Sequence, residues 1–243
     1  MISFFKKVLK KIFRLSGYEL SPVNNYESSL SPVRYDWLKN KNIKTIIDVG
    51  ACDGDFIRKF KPIFSESEIF SFEPNPEAFR KLSDYFFHDK KIKTFNIALS
   101  NIKSEIDFYV SENAGSSSML EMGETHKINL PYSATNKKIR VKCDLLDNIF
   151  SSVELIPPVM LKLDVQGAEK LVLEGAIKTL ERVDIIYTEI NFQELYKNSV
   201  LATELFSYLT QFNFKLIGIE NLHQSLIDGS FMHADAIFIK DTI

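Results

Sequence analysis

From Thr45 onward the hydrophobic positions fall into two kinds of run. Short β-branched and aromatic runs at Thr45–Val49, Ile69–Phe72, Lys93–Ile97, Val159–Asp164, Ile185–Glu189, Phe214–Ile219 and Ala234–Ile239 read as strands. Longer stretches with apolar residues three and four apart, Asp55–Phe64, Pro76–Phe87, Ala168–Leu180 and Ala202–Phe212, read as helices. Pro76 suits a first helical turn, where its missing N–H costs nothing. Strands alternating with helices predict an α/β fold, a doubly wound seven-stranded sheet with helices on both faces. Between Ser104 and Asp147 the pattern breaks into two strand-like pieces, Ile106–Val110 and Lys138–Cys143, around the polar loop Ser111–Thr135. A loop of that length reads as an insertion beside the ligand cleft.

The first 15 residues follow a different rule. Phe5, Val8, Leu9, Ile12 and Phe13 share one helical face, and Lys6, Lys7, Lys10, Lys11 and Arg14 take the other. Two readings stand for this cationic amphipathic helix: self-association or packing on the domain, and a peripheral anchor on an anionic membrane. It does not read as a secretory signal, because charges interrupt the apolar run and no small-residue cleavage site follows. Residues Ser16–Pro32 then read as a linker or cover segment, so the chain divides into an extension over 1–40 and a domain over 41–243.

Composition adds mainly exclusions. The 243 residues are 45% hydrophobic, which suits a folded domain and excludes disorder. Thirty basic residues against 32 acidic ones leave a net charge of −2, so no nucleic-acid partner is expected. Cys52 and Cys143 form no CxxC pattern, which suggests neither a disulfide framework nor structural zinc. No apolar stretch reaches the roughly 18 to 20 residues of a membrane span. A cytoplasmic location is expected, with the inner face of the membrane as the alternative for the amino-terminal helix.

The candidate chemistry begins where the first strand ends. Asp48-Val49-Gly50-Ala51-Cys52-Asp53-Gly54-Asp55-Phe56 runs from strand through a glycine turn into a helix, a place where a ligand can approach the backbone. The turn is not G-x-G-x-x-G, and Asp53 and Asp55 would repel a pyrophosphate, which argues against a nicotinamide dinucleotide. At the end of the second strand, in Phe72-Glu73-Pro74-Asn75-Pro76, Glu73 follows the turn at the spacing of a ribose-binding acid. The competing role for Glu73 is a plain helix-capping acid.

Five segments in order, DVGACDGDF, FEPNP, NIALSN, the serine pair of GSSSML, and MLKLDVQGAEKLVLEGA, resemble the motifs of the FkbM family of S-adenosylmethionine-dependent methyltransferases. The resemblance spans roughly Asn42 to Ile239 and implies a Rossmann-like class I methyltransferase fold, its sheet mostly parallel with a final antiparallel strand. It implies S-adenosylmethionine as cofactor, with Asp48, Gly50, Ala51 and Gly54 around the methionine moiety and Glu73 on the ribose. Pro74 and Asn75 would line the adenine side, and Asn96 and Ala98 would meet the adenine. Asn96 stands where the common pattern has an aspartate.

Lys162 and Asp164 lie two apart on one strand and so share a face. In the class I strand order Lys162 would neighbour Asp48, giving a structural ion pair; the alternative is a lysine base. Asp164, at the strand's carboxyl end, is the first candidate for catalysis, with Glu189 beside it. Asp164, Glu189 and Asn191 together offer an oxygen ligand set for Mg²⁺, with metal-free base catalysis by Asp164 as the alternative. His88 reads as an exposed residue, whereas His126, His223 and His233 are within possible reach of the cleft. Ser117, Ser118, Tyr132 and Tyr196 are further candidates for contacts with cofactor or sugar.

The resulting expectation is an O-methyltransferase for a sugar hydroxyl in a glycan, glycolipid precursor, nucleotide sugar or glycosylated natural product. Its rivals are a non-catalytic nucleotide- or partner-binding module and an NAD-dependent oxidoreductase.

Overall fold

The computed structural model describes residues 36–133 and 136–241. The amino-terminal helix and linker expected before residue 36 lie outside the described residues. The compact unit that carries the site runs from Leu38 to Ile243.

Seven strands form its main sheet: β1 (Thr45–Val49), β2 (Glu68–Phe72), β3 (Ile92–Phe95), β7 (Val159–Leu163), β8 (Ile185–Asn191), β9 (Phe214–Gln224) and β10 (Phe231–Lys240). Their order is β3-β2-β1-β7-β8-β10-β9. The pairs from β3 to β8 are parallel, and β10 inserts antiparallel between β8 and β9. The chain reverses direction across the sheet between β1 and β7, where open α/β sheets form their ligand crevice.

β1 and β7 are buried at every position, as central parallel strands must be when helices cover both faces. Alternation sends Ile47, Val49, Leu161, Leu163 and Ile186 into one core with Phe150, Leu173, Leu180 and Leu209. It sends Asp48, Lys162, Tyr187 and Glu189 to the other face. Helices α1 (Asp36–Asn40), α2 (Asp55–Phe60) and α3 (Pro76–Phe86) come from the first half of the chain. Asn75 starts α3, its side-chain oxygen accepting the Glu77 N–H at 3.1 Å, and Pro76 occupies the first turn.

The stretch expected as an insertion supplies β5 (Ser104–Ser111) and β6 (Asn136–Asp144), which with β4 (Ala98–Leu99), just before that stretch, form a second, three-stranded sheet in the order β4-β6-β5. Between β5 and β6 lies the helix α4 (Glu124–Asn129), and α5 (Leu146–Ile149) follows β6. The expected helix over Ala168–Leu180 is two helices, α6 (Glu169–Glu174) and α7 (Ile177–Leu180), broken at Gly175. A Cβ at Gly175 would lie 2.0 Å from the Ser100 carbonyl oxygen, so only glycine lets the two chain segments approach there. Asp147 receives the amides of Lys178 and Thr179 at 3.0 and 2.7 Å, which serves the start of α7. Helix α8 (Ala202–Thr210) precedes β9. Strands β9 and β10 run longer than expected because their antiparallel pairing continues past Ile219, through Glu220 with Asp235 and His223 with His233, to Gln224 with Phe231. Much of β9 is exposed, so neither face leaves a clean alternation in the sequence.

Candidate active site

The turn after β1 is fixed from three sides. The N–H groups of Gly50 and Ala51 donate to the Phe72 carbonyl at 3.0 and 3.1 Å, tying the turn to the end of β2. Gly50 has φ 76°, and a Cβ there would sit 1.9 Å from the Asp164 carbonyl oxygen. Glycine is therefore required by both conformation and space. From below, Lys162 Nζ donates to the Gly50 carbonyl at 2.7 Å and lies 3.1 Å from Asp48 Oδ1. Burial alone would lower the Lys162 ammonium, but Asp48 and Asp164 outweigh it and hold the group above the usual lysine value. This is the ion pair expected from the strand order, and it makes Lys162 a poor base.

Glu73 closes the other side of the turn. Its Oε2 accepts the Cys52 N–H and its Oε1 the Asn75 N–H, both at 2.8 Å. Each oxygen keeps a lone pair for a further donor, as binding two adjacent hydroxyls requires. Desolvation pushes the Glu73 carboxyl up to about 7, against the two amides that pull it down. Asn96 is exposed, and its amide donates to the carbonyls of Glu73 and Pro74 at 2.8 and 3.1 Å. It braces the acid's backbone from outside. Gly54, at φ 92°, faces α3, where a Cβ would meet Phe86 at 2.7 Å and Leu82 at 3.0 Å. The structure thus places Gly54 at a helix-packing contact.

Two cavities meet at this turn. The first is lined by Glu73 and Ser117 among apolar groups of Phe72, Pro74, Ile97, Ala98, Phe108 and Met119. The second lies on the opposite side of the turn, with Ala51, Phe56, Phe60, Tyr187, Asn221 and Asp235 in its wall. Gly50, Cys52, Ala114, Gly115 and Asp164 line both. Asp164 therefore stands at the junction, its side chain 43% exposed. Cys52 is no nucleophile there, since burial and the nearby Glu73 push its thiol up to about 12.

Behind Asp164 a polar chain runs into the protein. Gln166 Nε2 donates to Asp164 Oδ1 at 2.8 Å and to Glu189 Oε2 at 3.2 Å. The Tyr196 hydroxyl meets Gln166 Oε1 at 2.7 Å. Glu189 Oε2 also lies 3.3 Å from His233 Nδ1, and His233 stacks on His223 with ring centroids 4.4 Å apart. Glu189 is 7% exposed and is not among the residues lining either cavity. His126 is buried against Tyr196, and desolvation drives its imidazole down to about 4. His88 is exposed and beside Phe87. Ser118 ties the small sheet to the loop after β7 through the carbonyls of Val165 and Gln166, and Tyr132 is exposed.

The oxygens expected to bind Mg²⁺ are not assembled as a cation site. The Gln166 amide hydrogens occupy Asp164 and Glu189, and both polar atoms of the Asn191 side chain are buried without a hydrogen-bond partner. Among the described residues no three His, Cys, Asp or Glu side chains form a metal-binding cluster. Nothing in this arrangement supports a divalent ion at these side chains.

Gln166, Tyr187, Asn221 and Asp235 were not singled out by the sequence. Gln166 has φ 56°, in the left-handed region, inside the quoted LDVQGAE segment. Asp235 stands among apolar residues in β10, and that interruption was its one signal.

A crevice at the reversal of a seven-stranded sheet, an antiparallel β10 and a ribose-type acid in an apolar cavity define a class I methyltransferase. The donor chemistry of the first cavity fits the adenosine of S-adenosylmethionine: Glu73 for the ribose hydroxyls, and apolar walls for the base. The chain belongs to the FkbM methyltransferase family, whose domain matches residues 48–216. It is 28% identical over 181 residues to the 2-O-methyltransferase NoeI of Sinorhizobium fredii, covering 72% of this chain and 74% of that one. It is 30% identical over 151 residues to the hexuronic acid methyltransferase AglP of Haloferax volcanii, covering 58% and 57%. Among solved structures, Methyltransferase FkbM from Methylobacillus flagellatus KT aligns with a TM-score of 0.51 at 12% identity. That alignment covers 82% of this chain and 44% of the other, and it speaks for the fold alone. Among the described residues, no helix is long and apolar enough to cross a membrane.

Proposed function

We propose that this protein methylates a hydroxyl oxygen of a sugar, in a glycan or another glycosylated acceptor, with Asp164 as the general base. The observation that carries the reading is that Asp164, at the end of β7 beside the Gly50 turn, lines both cavities. Bound S-adenosylmethionine supplies an activated methyl group on a sulfonium. The protein's task is then to align an acceptor oxygen and to take its proton.

Each part of that task has residues placed for it. Glu73 and the apolar wall would hold the nucleoside, and the Phe72 carbonyl fixes the Gly50–Ala51 turn beside it. Phe56, Phe60 and Tyr187 cluster in the second cavity, with Phe56 and Phe60 centroids 5.9 and 6.3 Å from Tyr187. An aromatic wall beside carboxylate and amide groups suits the apolar face and hydroxyls of a sugar ring. Asp164, held by the Gln166 amide on Oδ1, can take the acceptor proton through its other oxygen. Glu189 acts through Gln166 and His233 as a positioning residue. The names of the two relatives, one a 2-O-methyltransferase and one a hexuronic acid methyltransferase, support an oxygen and a sugar as target.

The test is calorimetric titration with S-adenosylhomocysteine, beside NAD, on wild type and Glu73→Ala, followed by labelled methyl transfer to a panel of glycosides. Binding of S-adenosylhomocysteine alone, lost in the variant, with transfer to sugar, supports the reading. Cofactor binding without transfer to any sugar would overturn it.

A further inference from the structure

The second cavity is lined by four aspartates, Asp53, Asp55, Asp164 and Asp235, against two lysines, Lys59 and Lys162. Its deep wall brings Asp164 and Asp235 to the surface of the cavity, with Asp48, Glu189 and Glu220 behind them. Against these carboxyls stand Lys162 and His233. Lys162 is committed to Asp48 and the Gly50 carbonyl, and His233 to Glu189. Asp53 and Asp55 both pair with Arg58, which is not among the lining residues, and Lys59 joins Lys162 as a lining cation. No arginine among the described residues lines it. A carboxylate or phosphate on an entering ring would meet no guanidinium fork, the usual partner for such a group.

Asp235 is also placed to receive donors. The hydrogen bonds it accepts, from Asn221 Nδ2 at 2.6 Å and the Tyr187 hydroxyl at 3.0 Å, both fall on Oδ2. Oδ1 is left for a donor from the ligand. Burial, with Asp164 and Glu189 nearby, pushes the Asp235 carboxyl up to about 6, so it is ionised at neutral pH.

We propose that the acceptor cavity selects a sugar ring bearing no acid group, with Asp235 accepting a ring hydroxyl, and excludes uronic acids. The inference rests on the reading of this protein as a sugar O-methyltransferase. It separates this chain from its relative that is named for a hexuronic acid.

The experiment is labelled methyl transfer by the full chain to matched pairs of methyl hexoside and methyl hexuronide in gluco, galacto and manno configurations. The expected result is a preference for the neutral member of the reactive pair of at least about tenfold in kcat/KM. Asp235→Asn, which keeps size and removes charge, should narrow that ratio. Asp55→Asn at the exposed rim should narrow it less, and serves if the buried substitution impairs folding. Equal or faster transfer to the hexuronide, or a ratio unmoved by both variants, would overturn the inference and leave sugar methylation standing. Transfer to neither member of any pair, with cofactor binding intact, would overturn the sugar reading itself and this inference with it.

Discussion

Lys162 and Asp48 sit opposite each other in the register of parallel strands β7 and β1, with Nζ 3.1 Å from Oδ1 and side chains 6% and 0% exposed. The same ammonium holds the Gly50 carbonyl, so one buried cation joins the two central strands to the turn that both cavities share.

Removing one partner should therefore damage both stability and binding. Lys162→Met leaves the Asp48 carboxylate buried and unpaired, a change worth about 3–5 kcal/mol. Denaturant unfolding should show that loss. The double variant Lys162→Met/Asp48→Leu should recover much of it, because replacing both charges removes the uncompensated one. Cofactor affinity should stay weak in the double variant, since the Gly50 carbonyl has lost its donor.

Glu73 gives a pH dependence of definite sign. Its carboxyl titrates at about 7 in the fold, above the ordinary glutamate value of 4.5. The folded protein therefore holds the extra proton between the two values, and this group's contribution to stability is lost as pH rises from about 4.5 through 7. Binding of the ribose hydroxyls should move the opposite way, strengthening as Glu73 ionises. S-adenosylhomocysteine affinity, measured by calorimetry between pH 5.5 and 8.5, should rise and then level off, and Glu73→Gln should be weaker and flat.

Asp164→Asn preserves shape and removes the proposed base. Turnover should fall by about 10²–10⁴, while S-adenosylhomocysteine affinity changes only a few-fold. A variant that keeps both turnover and affinity would remove Asp164 from the chemistry.

Gly50→Ala should be among the most damaging single substitutions. The new methyl group would overlap the Asp164 carbonyl at 1.9 Å, and φ 76° would strain any residue with a Cβ. Loss of cofactor binding together with a lowered melting temperature is expected. Gly229→Ala is the control: it also has a positive φ, but nothing lies within 4 Å of its Cβ. It should bear the backbone strain alone and leave cofactor affinity intact.

The parts of this architecture that were legible beforehand are those written by local spacing. Glu73 follows the glycine turn at the interval of one helix and one strand, so its place beside Cys52 could be read from the order of residues. Lys162 interrupts a buried strand and demanded a partner, which the strand order supplied. Gly54 lies in the same turn as Gly50, yet its purpose depends on Phe86 and Leu82 in α3, a contact that no local pattern encodes. Asn96 is at the end of β3, but its amide turns outward to the Glu73 and Pro74 carbonyls. The acceptor wall was the least legible part. Tyr187, Asn221 and Asp235 come from three strands, and only the antiparallel insertion of β10 brings them together.

Ala114 and Gly115, in the loop after β5, line both cavities. The two cavities thus share these two residues, although Glu73 lines only the first and Asp235 only the second. On the proposed assignment, a substitution at Ala114 or Gly115 reaches both sites at once, whereas one at Glu73 or Asp235 reaches only its own.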